Sequence, residues 1–393
     1  MKGYVPTNFN PGSFKSPDKL YYILTLLYWG KVFNKIESQD SFIPLSAKIL
    51  KYILWDYQTP LSYLISIGVI ETNNRYIVGQ TSKGYRLTLT YAGAGYKQTE
   101  IHSKRIIKKV TQFKNKQIKE MKAMQHIHIW NCLNQITMNS DGARNYIENA
   151  NLEAEKYFSY LIAIEMIESR TFFQTVDNTA GRLHNNITNL SRQIRPFLRY
   201  GNENLIEIDI ANSQPFLFNV LISEALKNPS FHSFFNFNHG NIILSYDSGL
   251  ERYKELTSRG ELYEYLMKEM GIKEDRETFK KRFFGKICYC KENPRYITRE
   301  RKIFAKLFPA VSAIISYYKI EDYKQLAIKL QRAEADIMIN TVAKKLAEQG
   351  IFLLTIHDSI LTTKENVEIV KETILTEFKN KFNLIPTFKI KGA

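Results

Sequence analysis

Ile351-Phe352-Leu353-Leu354-Thr355-Ile356-His357-Asp358 is an apolar run that ends in His-Asp, which predicts a buried strand delivering two polar side chains at a turn. A second stretch, Leu205-Ile206-Glu207-Ile208-Asp209, alternates and then stops at another aspartate. Aspartates at two strand ends, far apart in sequence yet able to meet on one sheet, are the arrangement that two Mg²⁺ ions need for phosphoryl transfer. Hard cations want carboxylate oxygens, and rigid strands fix the metal spacing. A strand-terminal Asp is also common at ordinary turns.

Other segments stand around these two in a definite order. Thr179-Ala180-Gly181-Arg182-Leu183 is followed by Asn189-Leu190 and by Arg195 to Arg199. Asp209 opens DIANSQP, and residues 276–289 read RETFKKRFFGKICY. Next come Phe304-Ala305-Lys306-Leu307-Phe308-Pro309-Ala310-Val311 and Gln331-Arg332-Ala333-Glu334-Ala335-Asp336-Ile337. Thr355-Ile356-His357-Asp358-Ser359 and the stretch Ile385 to Gly392 complete the series. In that order they resemble pieces of the family A DNA polymerases: the TGRLSS…PNLQNIP segment, motif A (DYSQIE), the motif B helix (RxxxKxxxFG), the YPGV helix, QGTAADI, motif C (VHDE) and the closing strand. The likeness spans about residues 175–393. It implies an α+β right-hand core, with an antiparallel palm and reduced helical fingers, extending a primer 3′-hydroxyl on a DNA template by two-metal phosphoryl transfer.

The resemblance also implies roles by position. Asp209 and Asp358 would hold two Mg²⁺ ions, or Mn²⁺, and His357 would sit by the primer-terminal phosphate; a His before Asp is equally a packed strand-end residue. Arg276 and Lys280 lie four apart and can both face a nucleoside triphosphate, although a RETFKKR run also suits a solvated basic face. Phe284 stays on that side. The family's base-stacking tyrosine would follow one turn later, where this chain has Cys288, with Tyr289 one residue on. Counting from Lys281 instead makes Tyr289 fit and Arg276 misfit. Arg182 and Gln331 would touch the primer–template minor groove; Gln331 could also be an ordinary helix surface residue.

Departures from the family pattern bear on the product. Aligned without gaps, Gln214 replaces the glutamate that screens against a ribose 2′-hydroxyl, whereas a two-residue bulge would put Phe216 there. Motif C ends in Ser359, and His-Asp-Ser is what phage-type single-subunit RNA polymerases carry, so DNA and RNA products both stay open. The segment from Gln214 to Arg276 is longer than usual and that from Phe284 to Gln331 shorter, hence the reduced fingers. No carboxylate set for a proofreading exonuclease is found before residue 175, and Cys288-x-Cys290 lacks the second pair a zinc site needs.

Upstream, Ser16-Pro17-Asp18 reads as a helix start. Ile43-Pro44-Leu45 is expected to open a second helix and Pro60 a third, stopped at Gly68. Val69-Ile70 and Tyr76-Ile77-Val78 flank Asn73-Asn74, a hairpin signal, and Lys83-Gly84-Tyr85-Arg86-Leu87 closes the unit. Three helices and a hairpin resemble a winged helix, whose third helix would be the groove reader. Residues 104–122 hold eight basic side chains against one acidic and predict a connector helix near a phosphate backbone, or simply a solvated face. Residues 123–172 are expected to continue as helix, with Tyr157, Phe158, Tyr160, Leu161 and Ile164 buried. The expected organisation is a winged-helix-like nucleic-acid-binding module over 1–100, a helical connector or thumb-like region over 101–174, and polymerase palm and fingers over 175–393.

Composition agrees with a nucleic-acid partner. The chain has 393 residues, 55 Lys+Arg against 39 Asp+Glu, net charge +16, 24 Tyr and 24 Phe. Cations meet phosphates and rings stack on bases, although codon bias toward Lys, Ile, Tyr and Phe would give the same totals. No stretch approaches the roughly 18 apolar residues of a membrane span. No secretory signal is evident, and three cysteines (Cys132, Cys288, Cys290) make no disulfide framework, so a cytoplasmic protein is expected. The expected partners are primer–template DNA and nucleoside triphosphates, and the expected setting is replication of a phage, plasmid or integrated element. Two rivals stand beside this: an RNA polymerase or primase-like enzyme on the same palm, and a DNA-binding regulator or defence protein without catalysis.

Overall fold

Two units, each with antiparallel strands and its own buried apolar side chains, make up the chain: Met1–Thr175 with His184–Asn204, and Val176–Leu183 with Leu205–Gly392. This is a computed structural model, which describes residues 1–33, 41–77, 82–239, 248–291 and 297–392. Among the described residues no helix is long and apolar enough to cross a membrane.

In the first unit, β1 (Lys2–Pro6) pairs antiparallel with β5 (Tyr96–Glu100). Helix α1 (Pro17–Phe33) starts on Pro17 with Asp18 in its first turn, and Leu20, Ile23, Leu24 and Leu27 are at most 1% exposed. Each such side chain contributes about 1.5–3 kcal/mol by leaving water. Ile43-Pro44 does not open a helix. It forms β2 (Ile43–Pro44), because Ile43 pairs with Tyr85 of β4 (Gly84–Leu87), and α2 (Ala47–Leu54) begins only after Ser46, whose side chain accepts from the Ile49 amide. Helix α3 (Gln58–Ser66) carries Pro60 in its first turn and ends ahead of Gly68, whose φ of +68° suits glycine.

The expected hairpin is also corrected. Strand β3 (Ile70–Thr72) pairs with Gly84–Leu87, not with Tyr76-Ile77, and Val78 lies outside the described residues. Tyr85 and Leu87 are buried, and Arg86 pairs with Glu71 across the strands at 2.9 Å, so the later segment wins the pairing. The sheet order is β2-β4-β3.

Helix α4 (Lys104–Glu120) is capped by Ser103. The expected continuous helix over 123–172 is instead broken into Met124–Leu133, Ser140–Asn149 and α5 (Ala154–Glu168). The strand Ile136–Met138 interrupts it, held by pairing to Leu198–Tyr200 and by Asn139, which caps the next helix through the Gly142 amide. In α5, Tyr160, Ile162, Ile164 and Met166 are buried, while Tyr157, Phe158 and Leu161 are half-buried.

The second unit is built on a four-stranded antiparallel sheet of β6 (Ile206–Ile210), β7 (Leu354–Ile356), β8 (Ser359–Thr362) and β9 (Phe388–Gly392), in the order β7-β8-β6-β9. Ile208 stands opposite both Ile360 and Ile390, and Asp209 opposite Ser359 and Lys389. Ile208 and Ile360 are fully buried, as are Val370, Ile374 and Phe378 of α9 (Val367–Phe382). Helices α6 (Ser213–Leu226), α7 (Arg276–Phe283) and α8 (Gln325–Ala335) carry most of the remaining predicted site residues.

Candidate active site

The strand-end aspartates meet through a two-residue turn. Ile356 pairs with Ser359, so His357 and Asp358 are the central residues of the β7–β8 hairpin. A turn this short favours positive φ at its first central position, and His357 has φ +55°. The Asp358 carbonyl accepts from the Ile210 amide at 3.4 Å, which brings it against the end of β6 beside Asp209. Asp358 is half-buried, and its carboxyl is pushed above the usual range first by desolvation and then by the charge of Asp209; Ser213 and Lys280 act in the opposite sense.

Cations surround the pair. Lys391 Nζ lies 2.8 Å from Asp209 Oδ2. Lys389, opposite Asp209, has its ammonium pushed below the usual lysine range by desolvation and by Arg276, while Asp209 raises it. Sequence reasoning missed both lysines, although the Lys-Ile-Lys alternation on β9 places them on the strand side of Asp209 and Glu207. It also missed Glu207, which is buried and accepts from Ser359 Oγ at 3.2 Å.

Two carboxylates brought to one end of a sheet, both hard oxygen donors, fit a divalent cation. Among the described residues no group of three or more His, Cys, Asp or Glu is arranged around a metal position. Mg²⁺ commonly makes do with one or two carboxylates and completes its shell from water and substrate phosphates.

The chain leaves β6 through Asn212, in the left-handed region at φ +49°, and enters α6 at Ser213. Asn212 Oδ1 accepts from Arg276 Nη2 at 2.7 Å, and Arg276 Nε donates to Glu264 at 2.6 Å. Arg276 is therefore fastened to this turn, while Lys280 is the basic residue of α7 that acts on Asp358. Phe216 is fully buried, 5.7 Å from the ring of Phe378, and Gln214 is the half-buried residue of this turn.

The one-residue mismatch in the motif B-like segment has a backbone cause. Helix α7 widens into a π-helix over Phe284–Cys288, closed by the Tyr289 amide on the Phe284 carbonyl at 2.7 Å. The wider turn buries Cys288 and returns Tyr289 to the side of Phe284, the rings stacking at 5.1 Å and 12°. No sequence period reveals such a widening, and π-turns occur often at functional sites.

Two predicted side chains, Arg182 and Gln214, meet at Glu334, which is 2% exposed. Arg182 Nη2 lies 2.6 Å from its Oε1, and Gln214 Nε2 donates to its Oε2. Tyr289 in turn donates to Gln214 Oε1 at 3.3 Å. Arg182 is aimed by a tight turn in which Asp177 accepts from the Thr179, Ala180 and Arg182 amides. Burial pushes the Glu334 carboxyl up to about 7; Arg182 lowers it and the charge of Asp358 raises it. Gln331, half-buried, lies one helical turn before Glu334 on α8. Helix α3 in the first unit carries no Lys or Arg, so it offers no cation to a phosphate.

No family model and no curated protein matches the sequence. Among solved structures the chain is similar to the POL domain of Pol1 from M. smegmatis in complex with DNA primer-template and dNTP, at 13% identity and a TM-score of 0.31, covering 65% of this chain. The chain spans 56% of that domain.

Proposed function

We propose that the second unit is a template-directed nucleotidyltransferase, a polymerase palm with reduced fingers and no proofreading exonuclease. The observation that carries this reading is the Asp209–Asp358 pair with Lys391 on Asp209 and with Lys389 and Lys280 beside it. Paired carboxylates suit metal ions, and the cations suit a triphosphate. Asp209 and Asp358 would hold Mg²⁺ or Mn²⁺, which when bound neutralises charge building on the transferred phosphate. The primer 3′-oxygen bonds to the α-phosphorus, the α–β phosphoanhydride breaks, pyrophosphate leaves and the hydroxyl proton passes to solvent. Lys280 would bind the triphosphate, Arg276 would hold the Asn212 turn, and Tyr289 stacked on Phe284 would meet the base. Arg182 and Gln331 would lie along the primer–template. Three helices and a β2-β4-β3 sheet support reading the start of the first unit as a winged-helix-like nucleic-acid module. Incubating the chain with primed template, Mg²⁺ and either dNTPs or NTPs tests the reading; no extension with either set overturns it. His-Asp-Ser favours a second reading, RNA synthesis on the same site, which the NTP arm detects.

Sugar choice would lie with Gln214. Its amide is oriented from both ends, by Glu334 and by Tyr289. Gln214→Ala opens space near the sugar, so kcat/KM for rATP relative to dATP should rise about tenfold, while Phe216→Ala, deep in the core, should lower the melting temperature and leave that ratio alone. A ratio that shifts only in Phe216→Ala would return the choice to the bulged alignment.

A further inference from the structure

Trp55 closes α2 with φ +63° and ψ −74°, a conformation a bulky side chain rarely adopts, and the residue is 69% exposed. Backbone strain held in place at an exposed aromatic residue points to a use for that ring. It lines a cleft of about 370 Å³ with Lys15, Lys19 and Arg105. Arg105 also lines a second cleft, of about 380 Å³, with Lys104, Lys108, Lys109 and Gln112 of α4. One turn before Trp55, the exposed Tyr52 carries Lys109 Nζ 4.5 Å from its ring centroid and stands 6.2 Å from the ring of Phe113. The acids nearby are already committed: Asp18 accepts from the His102 and Ser103 amides, and Asp56 accepts from Thr59 and pairs with Lys19 at 3.7 Å.

We propose that this α2–α4 face binds a single-stranded polynucleotide, the α4 cations following the phosphates and an unpaired base stacking on Trp55. A row of cations beside a free ring is what unpaired strands require: each base offers a π-face, and duplex bases do not. The expected duplex reader, α3, has no basic residue, whereas α4 carries Lys104, Arg105, Lys108 and Lys109 along this face. The inference does not rest on nucleotidyl transfer, and its test uses neither metal nor nucleotide.

Fluorescein-labelled dT20, rU20 and a 20-base-pair duplex are titrated with the full chain in EDTA, read by anisotropy at several salt concentrations. Trp55→Ala should weaken binding to dT20, rU20 or both by roughly ten- to hundredfold and change duplex binding less than twofold, and the strand affected identifies the polymer. Trp55→Phe should keep affinity within about threefold, since it retains a ring. Lys108→Gln with Lys109→Gln should flatten the slope of log K against log salt by about 1.4, two single-strand phosphate contacts. Single-strand affinity unchanged by Trp55→Ala, or an equal loss on the duplex, overturns the proposal.

Discussion

Asparagine at position 209 or 358 is expected to lower nucleotide incorporation on the order of 10³-fold, the loss of a carboxylate that a two-metal transfer cannot spare. Nucleic-acid affinity should stay within about twofold, because neither change touches the α4 cations. Stability should move the other way at position 358. Asp358 is half-buried, and desolvation and the charge of Asp209 together raise its carboxyl above its unfolded value. A carboxyl raised in the native state contributes stability below its unfolded pKa and loses it as pH rises through the folded one. Asp358→Asn should therefore unfold at a higher temperature than the wild type at pH 8, and the advantage should shrink toward pH 4. Gain of stability with loss of activity marks a site kept under strain for chemistry. Full incorporation by either variant, or an Asp358→Asn protein that melts earlier at pH 8, would sink this account.

What could be read in the sequence was what local pattern controls. The apolar run before His357-Asp358 and the alternation before Asp209 declare strands whose ends carry carboxylates, and the β6–β8 register brings those ends together. What could not be read depended on partners distant in sequence or on a change of helical period. Ile43-Pro44 looks like a helix start until Tyr85 pairs with Ile43. Tyr289 is one residue out of phase until the π-helix at Phe284–Cys288 absorbs the extra residue. Glu334 sits in an ordinary helical run, and only the fold shows that it lies buried between Arg182 and Gln214. The two lysines of β9 look like solubilising charges until the strand register sets them beside Asp209 and Glu207.

Glu334 also sets the second large effect, which needs no assumption about function. Its carboxyl titrates at about 7, well above an ordinary glutamate, because burial outweighs the Arg182 guanidinium 2.6 Å away. Glu334 therefore adds stability below its unfolded pKa of 4.5 and loses it as pH rises toward about 7. Arg182→Ala removes the counter-charge. At pH 8 the variant must bury a lone carboxylate or take up a proton against the solution, and it should be about 3–5 kcal/mol less stable than the wild type. At pH 5 the carboxyl is protonated in both folded proteins, so the loss should fall to about 1 kcal/mol, the packing of the arginine stem. Urea denaturation at the two pH values measures the difference. Asp358 titrates in the same direction in both proteins and largely cancels from the comparison. Arg182→Ala combined with Glu334→Gln should recover most of the stability at pH 8, since no charge is then left unpaired in the interior. A loss of equal size at pH 5 and pH 8 would mean that Arg182 acts through packing alone and that Glu334 is neutral with or without it.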